Sequence, residues 1–164
     1  MRFTESFTPL HVIQQKLARL SHAELHQSQR GKWNILQHLY HCWMVERGVL
    51  AYIKLKTQDP TALVDVLVQT RLKFTIFFIA LRLGVLKVKA PDVVQKFPNE
   101  MSSVDLLDKW KKTRQEADVF FVNFPDNLAQ KGVFKHMYIG RLNKGLTQKF
   151  IRLHLCHHLR LCRL

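Results

Sequence analysis

A chain of 164 residues, 47% hydrophobic and 23% charged, is long enough to bury a core without staples and too apolar to be disordered. Five prolines and six glycines suit long helices better than a turn-rich β fold, and an odd count of three cysteines fits a reducing compartment rather than a disulfide framework. The net charge of +14 is the unusual number, and it is unevenly spread. All twelve acidic residues lie at or before Asp126, while Lys131, Lys135, Arg141, Lys144, Lys149, Arg152, Arg160 and Arg163 follow with no carboxylate among them. Such a field attracts anions, whether nucleic acid, acidic lipid or a small carboxylated or phosphorylated substrate. The N-terminal residues do not read as a signal peptide. The most apolar run, Phe74 to Leu86, carries Arg82 and is too short to cross a bilayer. The expectation is a single cytoplasmic domain over 1–164 with no membrane partner.

The first helix is expected over 8–29. Thr8-Pro9 supplies a cap and a first-turn proline, Leu10, Ile13, Leu17, Leu20 and Leu25 follow at near-helical spacing, and 28–31 reads as the exit turn. The second helix starts at an Asn34 cap and runs to about Lys56. Its apolar side gathers Ile35, Cys42, Val45, Val49 and Tyr52 around His38, with His41 toward the edge and Glu46 about 80° away. A third apolar stretch, Ala62 to Leu83, reads as helix because its apolar residues keep helical spacing and no hairpin turn interrupts them. Gly84, Pro91 and Pro98 mark a long connection over 84–101. Ser102 to Asp105 resembles a capping box opening a helix to about Val122. A second long loop, 124–143, leads to Asn143, a cap for the last helix. The fold class expected is all-α, a four-helix bundle with long crossover connections.

Nine histidines are many for this length. On the last helix His154 and His158 are one turn apart, about 40° on the helical wheel. Thr147, Phe150, Ile151 and Leu161 share their side, which should face the core, whereas Cys156 points away. Two buried imidazoles need partners for their nitrogens, supplied either by core hydrogen bonds or by a metal ion, which takes neutral imidazole readily. His38 is the best third ligand, being central on the apolar side of another long helix. Three histidines with open positions is the pattern of a catalytic metal rather than a closed structural zinc, and no His-Glu-x-x-His is present to suggest a zinc protease. His136, His41 and Glu46 are candidates for an outer shell, substrate contact or base, with an ordinary surface carboxylate the simpler reading of Glu46. Trp33, Trp43, Trp110 and the Phe74–Phe78 run read as packing, and Cys42 as a small buried hydrophobe.

Three segments carry a resemblance: Trp33-Asn-Ile-Leu-Gln-His38-Leu, Phe134-Lys-His136-Met-Tyr-Ile-Gly140-Arg-Leu, and Phe150-Ile-Arg-Leu-His154-Leu-Cys-His-His158. In this order they resemble the motifs of the DinB-like (YfiT-like) metalloenzyme superfamily. The resemblance implies a four-helix bundle holding zinc or nickel on His38, His154 and His158. Leu161 stands where family members often carry Gln, and Met137 where the loop motif commonly has Pro. It further implies a bacterial, stress-related setting and thiol-dependent chemistry, namely S-transfer or isomerisation with a low-molecular-weight thiol such as bacillithiol or mycothiol. A metal-dependent transferase or hydrolase acting on an anionic or thiol-bearing small molecule is therefore expected, with a homodimer as the common assembly. The alternatives are a basic bundle that binds nucleic acid, though no DNA-reading motif is present, and a scaffold without catalysis.

Overall fold

The computed structural model describes residues 7–28, 33–85, 88, 92–98 and 100–164, with the side chain of residue 93 excepted. The exit turn expected at 28–31 falls largely outside them, as does Pro91. Among the described residues there are six helices and one small sheet: α1 Leu10–Leu17, α2 His22–His26, α3 Ile35–Lys56, α4 Val68–Arg82, α5 Ser103–Val122, α6 Lys144–Leu161, and strands β1 Phe134–His136 and β2 Gly140–Leu142. The molecule is mostly helical, and the all-α expectation is amended by the hairpin.

The long helices begin where side chains can satisfy their first free amides. Asn34 and Gln37 form a reciprocal capping box at α3, each side chain accepting from the other's backbone N–H at 2.8 Å. The Ser102 hydroxyl accepts from Asp105 N at the start of α5. At α6 the Asn143 side chain accepts from Leu146 N at 2.9 Å. The same chemistry divides the first expected helix. Ser21 and Glu24 make a complete capping box, so a new helix opens at His22 after α1 has ended at Leu17. Ahead of α4 the chain makes a single turn over Pro60–Ala62 before running extended through Leu63 and Leu67, so the helix expected from Ala62 begins only at Val68.

The hairpin lies in the segment expected to be loop. Three-residue strands are too short to show period-two alternation. They pair antiparallel, Phe134 with Leu142 and His136 with Gly140, and Gly140 takes φ 102° at the turn, a conformation that favours glycine.

The core is built around α3, which packs against α2, α5 and α6 and also touches β1. Leu39, Ile53, Trp110, Leu142 and Leu155 are essentially inaccessible. Trp43, Trp110 and Phe74 are buried and Cys42 is a buried thiol, as expected. Leu161, expected on the core side of α6, is 46% exposed, whereas Leu155, His158 and Leu159 are buried. Glu46 departs furthest from expectation. Instead of lying at the surface it is buried on the side of α3 that faces α5. Its carboxylate takes a two-pronged contact from Arg114, Nε to Oε2 at 3.2 Å and Nη2 to Oε1 at 3.1 Å. Trp110 Nε1 donates to Oε2 at 2.6 Å. Arg114, itself buried, also donates to the Thr8 carbonyl, tying the N-terminal entry of α1 to α5.

Removing one member of a buried ion pair leaves the other charge without compensation. Arg114→Met is expected to lower unfolding free energy by roughly 3–5 kcal/mol in urea melts, and adding Glu46→Leu in the same chain should recover most of that loss.

Candidate metal centre

Four imidazoles from α3 and α6 meet between the two helices. The helical repeat dictates who can meet. His154 and His158 are one turn apart on α6, and His38 and His41 stand three residues apart on α3, about 60° around its axis. His41 and His158 are buried, His38 and His154 partly so. His41 Nε2 lies 3.2 Å from His154 Nε2, and His158 Nε2 lies 3.2 Å from His154 Nε2. Among the described residues, His41, His154 and His158 bring one ligand atom each within 4.8 Å of one another. His38 joins from behind, its Nδ1 lying 2.9 Å from His158 Nδ1.

Proton bookkeeping strengthens the geometry. His41 Nδ1 is 3.0 Å from the Val94 carbonyl oxygen. A carbonyl can only accept, so His41 Nδ1 donates, and in the neutral ring Nε2 is left as a bare lone pair. That lone pair faces His154. A histidine whose far N–H is fixed by a backbone carbonyl while the near nitrogen is free is the usual posture of a metal ligand. The spacing agrees as well. Zinc–imidazole bonds of 2.0–2.1 Å at tetrahedral angles put ligand nitrogens about 3.3–3.4 Å apart, close to the two 3.2 Å separations. The donor set therefore fits a divalent ion.

Electrostatics also favour neutral ligands. Burial pushes the pKa of His154 well down, helped by His41, His157 and His136. Burial does the same for His158, helped by His154, His41 and His38. His41 is lowered by burial against a smaller opposing effect of its bond to Val94. Cationic imidazoles crowded together repel, so the rings hold unprotonated nitrogens near neutrality. Trp33 covers one side of the group, its ring 4.9 Å from His41, 5.3 Å from His38 and 6.2 Å from His158, and Phe97 stacks edge-on against it. The tryptophan read as packing thus walls the cluster.

Of the expected ligands, His154 and His158 meet through their Nε2 atoms, while His38 meets the far nitrogen of His158; the third place in the cluster is held by His41, read as an outer candidate. His41 is reachable from the sequence through its three-residue offset from His38 on one helix. Its bond to Val94 depends on a connection 53 residues away and left no signal in spacing. His136 sits at the end of β1, where its Nδ1 accepts from the backbone N–H of Tyr138 and Ile139. Burial drives its pKa down to about 4. It borders the group through Phe150, which lies 4.8 Å from the His136 ring and 5.6 Å from that of His154. Glu46 does not join: both its oxygens are held by Arg114 and Trp110 on the α5 side.

The family model of the DinB superfamily matches residues 10–162, which takes in all four of these histidines. No curated protein and no solved structure gives a significant match to the chain.

Groups with lowered folded-state pKa make stability depend on pH. Above about 6.5, the ordinary histidine value, folded and unfolded chains both hold these rings neutral and stability is full. As pH falls below that value the unfolded chain binds protons first, and stability is lost progressively toward the lower folded pKa values of His154 and His158. Metal-free protein should therefore show a urea midpoint that drops between pH 7 and pH 5, and His154→Gln should flatten that drop.

Proposed function

Because the chain belongs to the DinB superfamily, a group that is commonly metal-binding, we propose that it is a metal-dependent enzyme whose ion is held by His41, His154 and His158. The convergence of three Nε2 atoms, with the His41 lone pair fixed by the Val94 carbonyl, is the observation that carries this reading. His38 then accepts from the Nδ1–H of His158 and holds that ring in its ligating orientation. Bound here, zinc or nickel would polarise a substrate oxygen or lower the pKa of a thiol.

The rest of the chain would supply the setting. Trp33 and Phe97 exclude water from one side and offer an apolar wall to a substrate. The acid-free sequence of 127–164 favours an anionic small molecule, in keeping with a low-molecular-weight thiol as co-substrate of an S-transferase or isomerase. The frame is a single domain in which α1, α3, α5 and α6 make a four-helix bundle, with crossovers over 57–102 and 123–143 and α4 laid against α6.

Metal analysis of tag-free protein after reconstitution should give one divalent ion per chain. His41→Ala and His154→Ala should abolish tight binding, whereas His38→Ala should weaken it by roughly 10–100-fold. If His38→Ala abolishes binding and His41→Ala spares it, the ligand set is His38, His154 and His158. Metal content untouched by all three variants would sink the metal reading. Thiol conjugation to an electrophile, measured with and without the ion, tests the reaction class separately.

A further inference from the structure

On α4 one side is buried and the other carries a row of large aliphatic residues that stay exposed among the described residues. Thr70 and Phe74 face the core, at 8% and 2% exposure. Val68, Leu72, Ile76, Ile79 and Leu83 are 54–82% exposed and fall within an arc of about 80° on the opposite side of the helix. An ordinary surface helix puts polar residues there, and contiguous exposed apolar patches mark interaction surfaces.

Charge indicates what covers it. Arg71 and Arg82 flank the row on one edge and Lys73 on the other, each about 80–100° from its centre. Residues 66–91 contain no Asp or Glu. The elements that α4 packs on are β2 and α6, and they belong to the stretch 127–164, which contains none either. Asp65, just ahead of the helix, is taken by Lys131 at 3.0 Å. The hairpin tip lies away from this row, since Tyr138 stacks on Phe77, about 140° round α4 from the row's centre. A second copy laid on this row in either direction would set these flanking cations against one another, because the helix offers no carboxylate to receive them. An aliphatic row bordered by Lys and Arg is complementary to a bilayer surface carrying anionic headgroups. No helix of the described residues is long and apolar enough to cross a membrane, so the contact is peripheral.

We propose that α4 docks this protein on anionic lipid bilayers, with the aliphatic row entering the headgroup boundary and Arg71, Lys73 and Arg82 engaging the headgroups. Such a contact needs no crossing helix, and it is independent of the metal centre. Co-sedimentation of the full chain should show binding to phosphatidylcholine vesicles containing phosphatidylserine, little binding to phosphatidylcholine alone, and release as salt rises. Replacing Leu72, Ile76 and Ile79 together with Ser should lower the partition coefficient more than tenfold, and Arg71→Gln with Lys73→Gln by roughly twentyfold. Both variants alter exposed side chains, and unchanged far-ultraviolet circular dichroism and melting would verify their folds. Three outcomes would overturn the proposal: no binding to the anionic vesicles at low salt, binding indifferent to the Ser replacements, or a dimer by light scattering that those replacements turn into monomer.

Discussion

The packing of α3 on α6 is the constraint on which the rest of the molecule depends. Side chains on two facing helices meet only where both helical repeats bring them round together. Here the shared positions are held by His38 and His41 on one side and His154 and His158 on the other. Four imidazoles in an otherwise apolar seam would be a costly choice for packing alone. Their cost is offset by pairing Nδ1 of His41 with the Val94 carbonyl and Nδ1 of His158 with His38, which leaves the Nε2 atoms of His41 and His158 turned toward that of His154. The family match spans all four residues, and three of them, His41, His154 and His158, bring ligand atoms together.

Much of this was legible in the chain. The caps Asn34, Ser102 and Asn143 place the starts of α3, α5 and α6 because a free helix amide needs an acceptor, and these side chains provide one within the local sequence. The His154–His158 pair on one face of α6 follows from helical periodicity. The features that escaped are set by tertiary neighbours. Glu46 reads as a surface carboxylate until Trp110 and Arg114, 64 and 68 residues later, are known to face it. The rank of His41 depends on which arc of α3 meets α6. Because α3 is covered by several elements at once, its buried arc is wider than a single apolar stripe suggests. The break between α1 and α2 was visible as Ser21 and Glu24, but the leucines running through it kept the helical period and hid it.

Two of the interior's polar groups play different parts. The Glu46–Arg114 pair is closed, each charge answered by the other and by Trp110 or Thr8. The histidine group is open in chemical capacity, since neutral imidazoles retain lone pairs for a further partner. That contrast, more than the number of polar residues, separates a structural site from a candidate reactive one.

The placement of these two groups on different sides of α3 has a mechanical consequence. Turning the helix about its axis to re-aim His41 would drag Glu46 out of the Arg114 fork, and sliding it lengthwise would break both sets of bonds together. The carboxylate thus acts as a key in a slot that fixes the azimuth and height of the imidazoles. Side chains on α5 that touch no histidine consequently share in setting how the ligating nitrogens are aimed.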